Sequence, residues 1–121
     1  FTDLAVPNFN SCLINYYQDN THSIKPHSDS VDVFGKQPTI SIVSIGASRD
    51  IYFKRKDLST GCKKSLRLDN NNKHLNCKIT LEEGSLLIMS GATQKYYLHE
   101  IPKVKEDKGE RYSLTFREYM I

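Results

Sequence analysis

Short segments that alternate between apolar and polar residues limit most strongly what this chain can fold into. A period of two is typical of strands with one buried face, and no stretch of the 121 residues shows a long helical period. Turn-forming residues such as Gly35, Gly46 and Gly84 separate the segments. The pattern predicts strands at 12–17, 39–45, 50–54, 76–81, 85–89, 96–99 and 112–116.

Many short strands with regular turns favour closure into a sandwich or barrel. We therefore predict an all-β fold, a jelly roll of the double-stranded β-helix type with little helix. A length of 121 residues suits one domain, and the chain begins with Phe1 rather than Met. We expect residues 1–121 to be one domain, and part of a larger protein.

Two histidines and an aspartate form a candidate metal site. His27 and Asp29 stand in one His-Ser-Asp triplet, and His99 lies far along the sequence. Two imidazoles and one carboxylate are the ligand set that holds non-haem Fe(II) and leaves three coordination positions open. The triplet would fix two ligands and a distant strand the third, so we predict an Fe(II) site at these residues.

The last predicted strand and its flanks have one polar and one apolar face. The polar face comprises Arg111, Ser113, Thr115 and Arg117, and the apolar face Tyr112, Leu114 and Phe116. We expect the apolar set to pack between layers and the polar set to face solvent or a polar cavity. The two arginines would suit a dicarboxylate, because guanidinium groups bind carboxylates bidentately. Asn15 and Tyr17 share a face of the first strand and offer further polar groups to an organic acid.

The cysteines and the remaining polar segments allow more than one interpretation. Cys12, Cys62 and Cys77 lack metal-type spacing and indicate thiols in a reducing compartment, with a Cys62–Cys77 disulfide as the alternative. Residues 58–78 form an excursion that is either a mobile surface hairpin or an arm facing nucleic acid. His22 and His74 are expected at the surface, with His22 near the mouth of a cavity.

Taken together, these motifs resemble the AlkB family of Fe(II)/2-oxoglutarate-dependent dioxygenases. The resemblance covers nearly the whole chain in the right order, and the terminal segment is its most characteristic part. It also looks like the domains embedded in viral replication proteins. The matching segments are 13–17 (LINYY), 27–29 (HSD), 41–46 (SIVSIG), 84–91 (GSLLIMSG), 99–102 (HEIP) and 111–117 (RYSLTFR).

The resemblance implies a catalytic core that uses Fe(II), 2-oxoglutarate and O2, with ascorbate as the reductant in vitro. It implies that His27, Asp29 and His99 bind the metal. The implied co-substrate contacts are Arg111 at the distal carboxylate, Arg117 at the metal-chelating carboxylate, and Asn15, Tyr17 and Ser113. The implied reaction is oxidative demethylation of bases such as 1-methyladenine and 3-methylcytosine in RNA or DNA, releasing formaldehyde, succinate and CO2.

Substrate recognition departs from the family pattern. Many members carry an acidic residue close behind the His-x-Asp triplet, whereas Ser30 follows here and Asp32 comes two positions later. The chain also begins about where the family's N-terminal lid would end. Either that lid lies outside this sequence, or the loops at 18–26 and 30–38 recognise the substrate. A flipped base is usually held by aromatic or imidazole faces, so His22 and Phe34 join the candidate substrate contacts.

Two other functions share the same sequence features. One is a 2-oxoglutarate-dependent hydroxylase of a protein or small molecule, and the other is a non-catalytic jelly-roll binding module. A net charge of +3 and the terminal strand favour nucleic acid, and the viral-type resemblance favours RNA. We expect methylated single-stranded RNA or DNA as the partner, no membrane span, a monomer or a domain of a larger polypeptide, and an intracellular, cytoplasmic location.

Overall fold

Eight strands make up most of the computed structural model, which describes residues 7–59, 61 and 66–120. Their bounds are β1 Ser11–Tyr17, β2 Ile24–His27, β3 Ile40–Gly46, β4 Arg49–Arg55, β5 Cys77–Leu81, β6 Leu86–Met89, β7 Tyr97–Ile101 and β8 Arg111–Arg117. Two one-turn helices, α1 Val31–Phe34 and α2 Thr93–Tyr96, and a 3-10 turn at Lys73–Leu75 lie between them. The prediction of an all-β fold with little helix is confirmed.

The strands form two four-stranded antiparallel sheets. The first sheet has the order β1-β8-β3-β6 and the second the order β2-β7-β4-β5. Apart from β4 and β5, neighbouring strands are therefore not consecutive in sequence, as in a jelly roll. Buried side chains from both sheets form one core, which comprises Tyr17, Ile40, Ile42, Ile51, Phe53, Leu81, Met89 and Ile101.

Alternation located most strands but missed β2. The segment Ile24–His27 contains Pro26, which has no N–H to donate to a ladder. Its pairing with β7 also shifts register between Ile24 and His27. A four-residue strand with a proline and an irregular register leaves no period-two pattern to detect. Tyr96, predicted to begin a strand, instead ends α2.

The polar face of β8 is the buried one and borders a cavity, which is one of the two expected placements, while the apolar face is the outer one. Arg111, Ser113 and Thr115 are buried between the two sheets, whereas Tyr112 is 41% exposed and stacks on Tyr16 on the outer face, with ring centroids 4.8 Å apart. The expectation that the apolar set packs between the layers is therefore wrong. Alternation separates two faces but does not say which is inward, and here the interior next to β8 is a cavity lined by polar as well as apolar side chains.

The cysteines and the 58–78 excursion are only partly described. Cys12 and Cys77 are exposed and free, while Cys62 lies outside the described residues, as does the alternative disulfide. The bridge between Lys56 and Leu68 closes the base of the excursion. None of the helices among the described residues has the length and apolar composition needed to cross a bilayer.

Gly46 is required where β3 meets β8. Its φ is +93°, its register partner is Arg111, and a Cβ at this position would collide with the carbonyl oxygen of Glu110. The backbones of β3 and β8 therefore lie so close at this point that there is no room for a side chain at position 46, opposite Arg111.

Replacing Gly46 with alanine should destabilise the protein more than the same change at Gly109. Gly109 also has a positive φ, +98°, but an added Cβ would have no described atom within 4 Å. Both variants carry the cost of an unfavourable φ, whereas only Gly46→Ala adds a clash with backbone. We expect an additional loss of about 2 kcal/mol or more in the free energy of unfolding, measured by urea denaturation. Equal losses would contradict this account.

Candidate active site

The predicted metal ligands meet between β2, the turn that follows it, and β7. His27 ends β2 and is the register partner of His99 in β7, so the two imidazole centroids are 4.2 Å apart. Asp29 follows two residues later, and its Oδ1 lies 3.7 Å from His27 Nε2. One ligand atom from each of the three residues lies within 4.8 Å of the others. The chain therefore brings together the three residues that the sequence singled out.

Burial and hydrogen bonding prepare the imidazoles to bind a cation. Burial, and then the charge of His27, lowers the pKa of His99 to about 4, which favours the neutral ring that binds metals. His27 Nδ1 donates to the carbonyl of Lys25 over 2.8 Å, so the lone pair of its Nε2 is directed at the cluster. His99 Nδ1 is buried without a hydrogen-bond partner in the described part of the chain. This donor set of two nitrogens and a carboxylate fits Fe(II).

Arg117 fixes the carboxylate of Asp29. Its Nε donates to Asp29 Oδ2 over 2.7 Å, and both side chains are largely buried. The guanidinium group also lies 5.4 Å from the centre of the Phe34 ring. Since Oδ2 accepts from Arg117, Oδ1 is the oxygen that faces His27. Arg117, predicted to lie beside a co-substrate carboxylate, therefore pairs with Asp29, one of the predicted metal ligands.

A cavity of about 390 Å³ opens between the sheets beside His27 and His99. We call the group of His27, Asp29 and His99 the metal cluster. Four of the predicted co-substrate residues line it, namely Asn15, Tyr17, Ser113 and Arg117. Asn15 is paired with Ser113, and Tyr17 with Arg111, in the β1–β8 register. The pairing of β1 with β8 therefore places the predicted co-substrate residues of the two strands side by side.

Arg111 is a buried cation with unused donors. Its side chain is 0% exposed, and Nη2 donates to Ser44 Oγ over 2.9 Å. No described residue has the geometry to form a hydrogen bond with Arg111 Nε or Nη1, or with the hydroxyl group of Tyr17. Burial lowers the pKa of Arg111 and raises that of Tyr17. A buried charge with open donors is unfavourable unless an anion binds it. Arg111 does not itself line the cavity, but it lies against the cavity-lining residue Tyr17, so its donors are suited to a carboxylate.

The four substrate candidates occupy different environments. Ser30 and Asp32 are exposed at the start of α1, directly after Asp29. Phe34 is half-buried and packs on Tyr119, with ring centroids 4.9 Å apart. His22 is exposed as expected, and its Nδ1 accepts from the main-chain N–H of Gln18 over 3.2 Å. His22 is therefore not part of the metal cluster.

Sequence reasoning missed three buried polar residues around the site. Arg49 donates to the carbonyls of His22 and Pro102 over 2.8 and 2.6 Å. Gln94 and Lys56 are also buried, and the Gln94 side chain accepts a hydrogen bond from the main-chain N–H of Asp29, a predicted metal ligand. Only Arg49 left a usable signal, because it alternates with the buried residues of β4. Gln94 and Lys56 form contacts between segments far apart in sequence, which periodicity does not reveal.

Comparison with known proteins identifies the class. A family model described as the 2OG-Fe(II) oxygenase superfamily matches residues 2–117, so the chain belongs to that superfamily. It is 36% identical over 119 residues to the DNA oxidative demethylase ALKBH2 of Arabidopsis thaliana, covering 90% of this chain and 37% of that protein. It is 35% identical over 112 residues to the alpha-ketoglutarate-dependent dioxygenase alkB homolog 3 of Homo sapiens, covering 90% of this chain and 36% of the relative.

A solved structure of OsALKBH1 shares the fold, with a TM-score of 0.59, 20% identity, and coverage of 88% of this chain and 48% of that chain. The predicted AlkB-family resemblance is confirmed, and membership implies Fe(II), 2-oxoglutarate and O2. The chain nevertheless spans little more than a third of the length of the two relatives described above.

The buried state of His99 should make the metal-free protein sensitive to acid. The pKa of His99 is about 4 in the folded chain and 6.5 ordinarily, so between these values the unfolded chain binds a proton that the folded chain does not. The free energy of unfolding should fall as pH drops from 6.5 to 4, by up to about 3 kcal/mol. Urea denaturation of the metal-free protein at several pH values measures this. The variant His99→Gln should show a shallower dependence, and equal slopes would refute the assignment.

Proposed function

We propose that this domain catalyses Fe(II)- and 2-oxoglutarate-dependent oxidative demethylation of N-alkylated bases in single-stranded RNA or DNA. The expected substrates are 1-methyladenine and 3-methylcytosine, and the products are formaldehyde, succinate and CO2. The observation that carries the proposal is the presence, between the same two sheets, of the His-Asp-His cluster and the buried Arg111 with its open donors. The name of the relative ALKBH2, a DNA oxidative demethylase, supports nucleic acid as the substrate class.

In this proposal, His27, Asp29 and His99 hold Fe(II). The bound iron, together with 2-oxoglutarate and O2, supplies the oxidation that hydroxylates the N-methyl carbon, after which the hydroxymethyl group leaves as formaldehyde. The protein supplies ligand geometry and a site shielded from bulk water. Arg117 contributes by holding one carboxylate oxygen of Asp29, which leaves the other directed at the cluster.

The same geometry suits 2-oxoglutarate as the co-substrate. Arg111 would bind its distal carboxylate through Nε and Nη1, the atoms that lack partners among the described residues. Tyr17, whose ring lies 4.8 Å below the Arg111 guanidinium carbon, would donate its hydroxyl proton to the same anion. Asn15 and Ser113, which line the cavity together with His27 and His99, would contact the co-substrate, and Arg117 would face the carboxylate that chelates the metal.

Substrate recognition is assigned to the loops beside the site. Ser30 and Asp32 are exposed immediately after the ligand Asp29, so both are proposed to contact the polar edge of a flipped base. His22 would add an imidazole face at the cavity mouth. Phe34 would act through α1, because it packs between Arg117 and Tyr119. The domain is proposed to work as the catalytic core of a longer polypeptide.

The proposal is tested by release of formaldehyde and succinate from the purified domain with Fe(II), 2-oxoglutarate and ascorbate. Single-stranded RNA and DNA oligonucleotides carrying 1-methyladenine or 3-methylcytosine serve as substrates, and His27→Ala is the control. Stoichiometric formaldehyde with loss of the methyl group is the expected result, and it ranks RNA against DNA. Succinate without formaldehyde would instead favour the hydroxylase of a protein or small molecule. Bound metal with no succinate from any substrate would favour the binding module.

Arg111→Ala should weaken 2-oxoglutarate binding with a smaller effect on metal binding. A charge-assisted bidentate pair contributes about 1.5–3 kcal/mol, so we expect the 2-oxoglutarate affinity to fall on the order of tenfold to a hundredfold. Calorimetric titration with Mn(II) in place of iron measures both ligands. Arg67→Ala is the control, because the Arg67 side chain is 70% exposed and pairs with Asp57 away from the cavity. Unchanged 2-oxoglutarate affinity in a folded Arg111→Ala protein would exclude the assigned role.

A further inference from the structure

The segment that carries His27 and Asp29 is joined to the segment that carries His99 by two hydrogen bonds. The main-chain N–H of Asp29 donates to Gln94 Oε1 over 2.8 Å. The hydroxyl group of Ser28 donates to the carbonyl of Tyr97 over 2.8 Å. Gln94 lies on α2, which runs directly into β7. The two bonds therefore link the ligand-bearing segments to each other outside the metal cluster itself.

Gln94 is itself held in place by several neighbours. Its side chain is 2% exposed, and its Nε2 lies 3.8 Å from Met89 Sδ. Its main-chain carbonyl accepts from Lys56 Nζ over 2.7 Å, and the main-chain N–H of Lys56 donates to the carbonyl of Tyr96 over 2.8 Å. Lys56 is a buried cation at the end of β4. Lys56 thus holds the main chain of Gln94, and Met89 contacts the amide on the side away from the oxygen that accepts from Asp29.

This arrangement is more specific than filling space in a core. A buried glutamine must find partners for its amide, and an apolar residue of equal volume would fill the same position without that need. Here the amide oxygen receives the N–H of the residue that supplies the only carboxylate of the cluster. Groups that orient a metal ligand without touching the metal commonly change metal affinity by a factor of 10 to 100.

We propose that Gln94 is a positioning residue that sets the main chain of Asp29 relative to His99. The inference rests on the proposed function in one respect, the assignment of Asp29 as a metal ligand. Gln94 does not contact the metal or the co-substrate in this account. It fixes the distance between the two ligand segments, so that the carboxylate and the imidazoles face one another when a cation arrives.

The test compares Gln94→Met, Gln94→Asn and Gln94→Glu. Methionine keeps the volume and removes the acceptor, asparagine withdraws the amide by one methylene, and glutamate keeps an acceptor oxygen at the original side-chain length. Lys95→Met is the matched control, because Lys95 is exposed on the same helical turn. Each metal-free protein is first checked for folding by circular dichroism. Co(II) is then titrated by calorimetry and by visible absorption, which reports ligand geometry.

We expect Gln94→Met and Gln94→Asn to bind Co(II) about 10-fold or more weakly than the parent, with an altered visible spectrum. Gln94→Glu should recover most of the affinity, and Lys95→Met should match the parent. A folded Gln94→Met or Gln94→Asn protein with the parent's affinity and spectrum would overturn the proposal, even where its stability is lowered. If Gln94→Met does not fold, Gln94→Asn against Gln94→Glu decides.

Titration of Asp29→Ala with Co(II) distinguishes failure of the proposed function from failure of the role assigned to Gln94. If Asp29→Ala binds Co(II) as tightly as the parent, the ligand assignment behind the proposed function fails. If Asp29→Ala loses binding while the folded Gln94 variants keep it, the proposed function stands and only the role of Gln94 is wrong.

Discussion

The pairing of β2 with β7 is the constraint on which the site depends. It sets His27 opposite His99, so two imidazoles from segments 72 positions apart in the numbering meet on the inner side of one sheet. Side chains in a strand alternate between faces, and a slip of one residue would turn His99 outward. The ring of Phe53 on β4, 5.9 Å from His99, packs against it from the next strand. The register of the second sheet is therefore the first condition for a metal site, and Asp29 and Gln94 act within it.

Burying charged side chains costs free energy, and this small domain buries three cationic side chains among its described residues. Arg111, Arg49 and Lys56 are buried cations, and burial lowers the pKa of both Arg111 and Lys56. Arg49 and Lys56 donate to main-chain carbonyls, so they hold loops and turns together. Arg111 differs, because two of its donors have no partner among the residues described. A structural role would have given those donors an acceptor, and their being left open is the feature that indicates a ligand.

Sequence patterns predicted the fold class because alternation and turn residues act locally. They also singled out His27, Asp29 and His99, which the fold brings together, because imidazole and carboxylate groups are recognisable as possible metal ligands from residue type alone. Other features depend on contacts that no period encodes. Pro26 interrupted the pattern of β2, and the inward face of β8 carries the polar residues Ser113 and Thr115 rather than the apolar ones that hydrophobicity suggests. Gln94 could not be found because its role lies in a hydrogen bond to a main-chain group 65 positions away.

Some residues of the candidate site lie on strands and others in loops. This explains why some could be predicted from the sequence more readily than others. The metal cluster lies at the second sheet and Arg111 in the first, so the chemistry is positioned by strands whose register leaves little freedom. The candidate substrate residues lie instead in the segments after β1 and after Asp29, and connecting segments tolerate change. A scaffold built in this way can keep one reaction while its loops select different substrates. In the proposed function, the strands would therefore define the reaction class, and the exposed residues around Ser30 and His22 would select the substrate.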